Sequence, residues 1–124
     1  MLKVTEIAFS CYPVTDMERA RKFYEGVLSL KSTATYGTPG GMQWTEYDLG
    51  PGTLALGAGA PDWQPRPDGC SVALETEDFD EAIAHLKRQQ VKFRMEPIST
   101  PVCRMAMISD PDGNTICIHK RNKS

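Results

Sequence analysis

Apolar and small residues alternate over residues 7–14 without helical period, which predicts a strand. Thr15 and Asp16 then offer N-cap oxygens, and Thr15 and Glu18 have the spacing of a capping box. Met17, Ala20, Phe23, Tyr24 and Val27 recur at helical spacing, while Arg19, Arg21, Lys22 and Glu25 mostly fill the other face. The helix is expected to end near Gly26, the chain leaving it over 28–30. Strands follow over 32–36 and 42–49. The segment Gly37-Thr38-Pro39-Gly40-Gly41 between them reads as a hairpin loop, not a phosphate loop, because no Gly-Lys-Ser/Thr follows it. Gly50-Pro51-Gly52 makes a turn into a further strand over 53–57.

The pattern then repeats. Residues 58–69, with Pro61, Pro65 and Pro67, read as a linker. A strand over 72–76 leads to Asp78 and Glu81, which supply N-cap and N3 carboxylates. Phe79, Ala82, Ile83 and Leu86 form the apolar stripe of a second helix ending near Gln90, with His85 on its polar side. Strands over 92–98, 103–109 and 115–119 complete the half, and Asp110-Pro111-Asp112-Gly113 turns between the last two. The order β-α-β-β-β therefore occurs twice, as modules 1–57 and 70–124. Asp16 aligns with Asp78 and Gly52 with Gly113. One module's helix covers one face of its sheet; the other face must meet a second half, and a ligand cavity is expected there.

Composition narrows the function classes. A net charge of -2 gives no basis for nucleic-acid binding. No apolar run approaches the ~20 residues of a membrane span, and the N-terminus lacks the apolar stretch of a signal peptide. A cytoplasmic protein with four free thiols is expected. Cys11, Cys70, Cys103 and Cys117 include no C-x-x-C pair.

Residues 13–24, PVTDMERARKFY, resemble the first strand-to-helix passage of the vicinal oxygen chelate superfamily, which groups glyoxalases, bleomycin-resistance proteins and extradiol dioxygenases. Asp110-Pro111-Asp112-Gly113-Asn114-Thr115-Ile116 resembles its last-hairpin signature. The resemblance spans essentially the whole chain. It implies an α+β fold of two tandem βαβββ modules forming a cupped mixed sheet, often as a homodimer. Fold alone does not select among the superfamily's activities.

In metal-using relatives, ligands come from two strand positions in each half. One lies seven residues before the helix-start acid, the other four after the last-turn glycine. Here these are Phe9 and Leu56 in the first half, Ser71 and Cys117 in the second. Phe9 and Leu56 have no lone pair, Ser71 is a poor neutral ligand, and one thiolate does not hold a divalent ion alone. No metal and no cofactor is expected. A register slipped by one residue would instead turn Ser10, Val72, Ala55 and Ile116 or Ile118 inward.

Alternation adds Cys11, Leu54, Ala73, Glu75, Thr115 and His119 to the cavity face. The opposite face, with Val72, Leu74, Ile116 and Ile118, suits packing beneath a helix. Glu75 and His119 are the acid–base candidates, with Glu75 acting as a base if an apolar cup raises its pKa; both are otherwise solvated at the rim. Trp44 and Tyr47 point to opposite faces of one strand, so one of them can meet a planar ligand.

Three functions fit. The first is a protein that binds a small apolar or aromatic molecule in a cup lined by Phe9, Cys11, Trp44, Leu54, Leu56, Ser71, Ala73, Glu75, Cys117 and His119. The second is a metal-dependent lyase, isomerase or dioxygenase with Glu75, Cys117 and His119 as non-standard ligands. The third is a homodimeric interaction module without a small ligand.

Overall fold

The computed structural model describes residues 1–123. The chain forms two compact units, 1–64 and 65–124. The first contains β1 (Ser10–Pro13), α1 (Met17–Arg21), a π-helical continuation (Lys22–Val27), β2 (Ala34–Gly37), β3 (Gln43–Leu49) and β4 (Gly52–Ala58). The second contains β5 (Val72–Glu75), α2 (Phe79–Arg88), β6 (Phe93–Ser99), β7 (Cys103–Ser109) and β8 (Thr115–Arg121). The β-α-β-β-β order therefore occurs twice. Each unit holds a four-stranded mixed sheet, ordered β1-β4-β3-β2 and β5-β8-β7-β6; only β1/β4 and β5/β8 are parallel. No helix of the described residues is long and apolar enough to cross a membrane.

One local expectation is corrected and one open alternative is decided. β1 begins at Ser10, not at residue 7: its pairing with β4 starts with Ser10 opposite Leu54, and residues 7–9 are exposed outside the ladder. The cap of α1 is Asp16, whose carboxylate accepts from the Arg19 amide at 3.1 Å. Thr15 is not that cap; its hydroxyl accepts from the Arg19 guanidinium. The second helix starts as its sequence indicates, with Asp78 accepting from the Glu81 amide.

Buried side chains identify the helix-covered face of each sheet. In the first unit Tyr47 lies opposite Leu54, and Thr45 opposite Leu56. Tyr47 reaches the helical segment through its hydroxyl, which donates to Glu25 at 2.9 Å, and its ring stacks on Tyr24. Thr45 donates to the Met17 sulfur. Tyr12, Thr45, Tyr47, Leu54 and Leu56 are all nearly inaccessible. In the second unit Ala106, Ile108, Ile116 and Ile118 are buried with Phe79 and Leu86 of α2, and Arg104 lies over the Phe79 ring.

The Asp110–Asn114 turn explains its own sequence. The Asp110 carboxylate accepts from the backbone amides of Asp112 and Asn114 and from the Asn114 side chain, each at 2.9 Å. Both side chains are buried, so these bonds satisfy groups that would otherwise be costly to desolvate. Gly113 has φ of 87°, which a residue with a Cβ seldom adopts.

Candidate functional site

Strand pairing fixes which side chains share the face that the helix leaves uncovered in each unit. In the first, Cys11 pairs with Ala55, Trp44 with Gly57 and Tyr36 with Trp44. In the second, Ala73 pairs with Cys117, Glu75 and Met105 with His119, and Met107 with Cys117. The two frames correspond when Ala55, not Leu56, is the counterpart of Cys117.

Leu54 and Leu56 therefore do not line the uncovered face; they lie beneath the helical segment. The slip comes from unequal turns. In the first half Leu49 pairs with Gly52, leaving two residues in the turn, whereas in the second half Ser109 pairs with Thr115 around a longer loop. Gly52 is already in its strand, but Gly113 is still in the loop. Matching the two glycines shifts β4 by one residue, and one residue exchanges the faces. The second-half assignments keep their register: Ala73, Glu75, Cys117 and His119 share one face. Ser71 is exposed, one residue before β5.

The uncovered face of the first sheet is aromatic. Phe9, 47% exposed, meets Trp44 edge to face with ring centroids 5.2 Å apart. Tyr36, 61% exposed, stands beside Trp44 on β2. Trp63 leans over the same face: a Cβ added to Gly57 would meet Trp63 at 2.9 Å and Trp44 at 3.3 Å. Gly57 is therefore a close approach of backbone to two indoles. Glu46 also faces this side, two residues from Trp44, and its Oε2 accepts from the Trp44 indole N–H at 2.8 Å. The Cys11 thiol beside it is pushed up to about 12, first by burial and then by the Glu46 charge. Sequence reasoning placed Phe9, Cys11 and Trp44 here but missed Tyr36, Glu46, Gly57 and Trp63. Alternation on β3 gives a signal for Glu46, but Trp63 lies in the segment read as linker and carries no periodic signal.

The second sheet presents Met95, Met105, Met107 and Cys117 on its uncovered face, with a hydrogen-bonded pair toward one edge. His119 Nδ1 lies 2.5 Å from Glu75 Oε1, and Glu75 Oε2 accepts from the Arg121 backbone amide at 2.7 Å. These bonds, the backbone one foremost, hold the Glu75 carboxyl below its ordinary pKa. Of the two alternatives for Glu75, the raised pKa of a base in an apolar cup does not fit: donors reach the carboxylate, and its side chain is exposed. His119 also borders an open cleft of ≈ 400 Å³ with Pro101, Val102, Cys103, Arg121 and Lys123.

The positions that carry metal in metal-using relatives do not fit one here. They hold Phe9, Ala55, Ser71 and Cys117 after the register correction. Phenyl and methyl groups have no donor atom, and burial raises the Cys117 pKa, opposing the thiolate a metal needs. Among the described residues no group of three or more His, Cys, Asp or Glu side chains is arranged to hold a metal ion.

A family model for the Glyoxalase/Bleomycin resistance protein/Dioxygenase superfamily matches residues 5–118. The chain belongs to this superfamily. Superfamily members are also among its structural neighbours. TnmS3, an antibiotic binding protein from Streptomyces sp. CB03234, is 27% identical, with a TM-score of 0.80 over 98% of this chain and 100% of that one. A glyoxalase/bleomycin resistance protein from Streptomyces sp. CB03234 is 30% identical, with a TM-score of 0.74 over 91% and 98% of the respective chains. A superfamily member from Sphaerobacter thermophilus is 26% identical, with a TM-score of 0.74 over 96% and 99%. No curated protein matches the sequence.

Proposed function

We propose that this superfamily member is a small-molecule-binding protein that captures a planar aromatic ligand on the uncovered face of its first sheet. One observation carries the reading: Phe9, Tyr36, Trp44 and Trp63 lie on one sheet face, over a glycine that lets the two indoles approach the backbone. Aromatic faces recognise flat ligands by stacking, typically with ring centroids ~4.5–7 Å apart. The likeness to an antibiotic binding protein supports capture of a ligand over its conversion. The unfitting residues at the metal positions support the same choice. A homodimer in the cytoplasm, with neither nucleic acid nor membrane as partner, belongs to this reading.

Trp44 and Trp63 are the chain's two tryptophans, so intrinsic indole emission reports on this face alone. Titration with acridine is expected to quench it saturably. Trp44→Ala is expected to weaken binding about tenfold, the equivalent of about 1.4 kcal/mol. Absence of saturable quenching, or equal affinity in Trp44→Ala, would remove the reading.

A second reading rests on the His119–Glu75 pair. In its neutral Nδ1–H tautomer the His119 ring would donate to Glu75 and keep Nε2 as a proton acceptor, on a residue that borders the cleft. Such an imidazole serves as a general base. Long-range proton–nitrogen NMR is expected to show the Nδ1–H tautomer in wild type and its loss in Glu75→Gln; an Nε2–H tautomer in wild type would eliminate the base.

A further inference from the structure

The aromatic face carries a feature that stacking alone does not require. Its strands β1–β4 contain no Lys, Arg or His, and their only charged residues are Glu46 and Asp48. Both acids share the parity of Trp44 and so project from the uncovered face. Asp48 is exposed near the turn and accepts from the Thr53 hydroxyl. Glu46 is half-buried among the aromatics. The Trp44 indole N–H engages one of its oxygens and fixes the side chain, while no hydrogen bond or ion pair to Oε1 is found among the described residues. The acid thus lies beside Trp44 on the aromatic face, with no cation from its own sheet to neutralise it.

We propose that this face selects a planar aromatic cation, a ring system bearing a ring-borne or amine positive charge, with Glu46 as the specificity-determining residue. The inference rests on the reading of the aromatic face as the ligand site. Two physical effects act in the same direction. The negative π-faces of indole and phenol attract a cation at close range, best where water is partly excluded. A carboxylate in partly desolvated surroundings attracts it further and would be left under-compensated by a neutral guest. A neutral planar molecule gains the stacking but not the charge terms; an anionic one meets repulsion from Glu46 and Asp48. The same charge acts on the neighbouring Cys11 thiol, whose pKa is raised by burial first and by Glu46 second.

The test uses the full chain and two probes of nearly the same shape: N-methylacridinium, a permanent cation, and acridine at mildly alkaline pH, where it is neutral. Quenching of Trp44 and Trp63 emission gives both affinities. The cation is expected to bind about tenfold more tightly, and Glu46→Gln, which keeps an acceptor for the Trp44 indole, to abolish that preference while leaving acridine within about twofold. Equal binding of the two probes in wild type, or a preference that survives in Glu46→Gln, overturns the cation proposal while the aromatic-ligand reading stands. Failure of both probes to bind overturns the two together. Emission that shifts with protein concentration and ignores both probes assigns the face to contact between copies of the chain, which also overturns both.

Discussion

At the scale of single residues, the fold gives the same side-chain types different chemistry. Of the four cysteines, Cys70 is exposed, Cys103 and Cys117 are buried, and Cys11 has a pKa pushed up to about 12. Reaction of the native protein with Ellman's reagent is expected to show one fast thiol, lost in Cys70→Ser, because the thiolate is the nucleophile. Labelling of Cys11 at a comparable rate would contradict its burial beside Glu46. Glu25 makes the corresponding case for carboxylates. It binds the Arg21 guanidinium at 2.6 Å and accepts from the buried Tyr47 hydroxyl, and these bonds hold its pKa below the ordinary value. Its stabilisation is therefore complete above the usual glutamate pKa of about 4.3 and fades as pH falls through the lower folded value. Glu25→Gln is expected to cost about 1 kcal/mol at neutral pH. In acid titrations of thermal stability the gap to wild type should close; a constant gap would show that the carboxylate charge contributes nothing.

At the scale of elements, both helices end within two residues of where the sequence puts them, but the geometry of those ends was not legible. The second helix ends in a reciprocal pair of bonds, Val91 N–H to Leu86 carbonyl and Gln90 N–H to Lys87 carbonyl, with Gln90 at φ of 58°. This is a Schellman ending with glutamine where glycine is the unstrained choice. Gln90→Gly is expected to raise unfolding free energy by roughly 1 kcal/mol, since a left-handed residue with a Cβ costs about that much. Chemical denaturation would expose the error if the variant were no more stable. The first helix differs from its sequence pattern because five α-helical residues pass into a π-helical segment. There Leu28 N–H bonds the Phe23 carbonyl, five residues back. The apolar spacing of Phe23, Tyr24 and Val27 suits either geometry, so periodicity does not register the change.

At the scale of the whole molecule, one supersecondary plan has been used twice and filled differently. The first sheet presents aromatics and acids; the second presents methionines, a buried thiol and a His–Glu pair. Neither set supplies the donors that metal chemistry requires at the superfamily positions. Protein purified from medium containing Zn, Ni, Fe, Mn and Co is therefore expected to hold far less than one metal per chain by elemental analysis, and chelation should leave its thermal stability unchanged. Stoichiometric metal, lost in Cys117→Ala or His119→Ala, would refute this.

The sequence by itself determined the repeated β-α-β-β-β order, the superfamily and the helix starts at Asp16 and Asp78. Local hydrophobic period, capping oxygens and turn residues encode these directly. It also assigned Phe9, Cys11, Trp44, Ala73, Glu75, Cys117 and His119 to one cup; strand pairing, and for Phe9 its contact with Trp44, places the first three on the open face of the first sheet and the other four on that of the second. Tertiary structure decided the rest. The register of β4 depends on how many residues the turn leaves unpaired, so Leu54 and Leu56 passed to the helix side and Ala55 and Gly57 to the open face. The place of Trp63 depends on a contact with Gly57 across a segment without period. The ionisation of Glu75 depends on the Arg121 amide, 46 positions away in the chain, and no local pattern brings that donor into view.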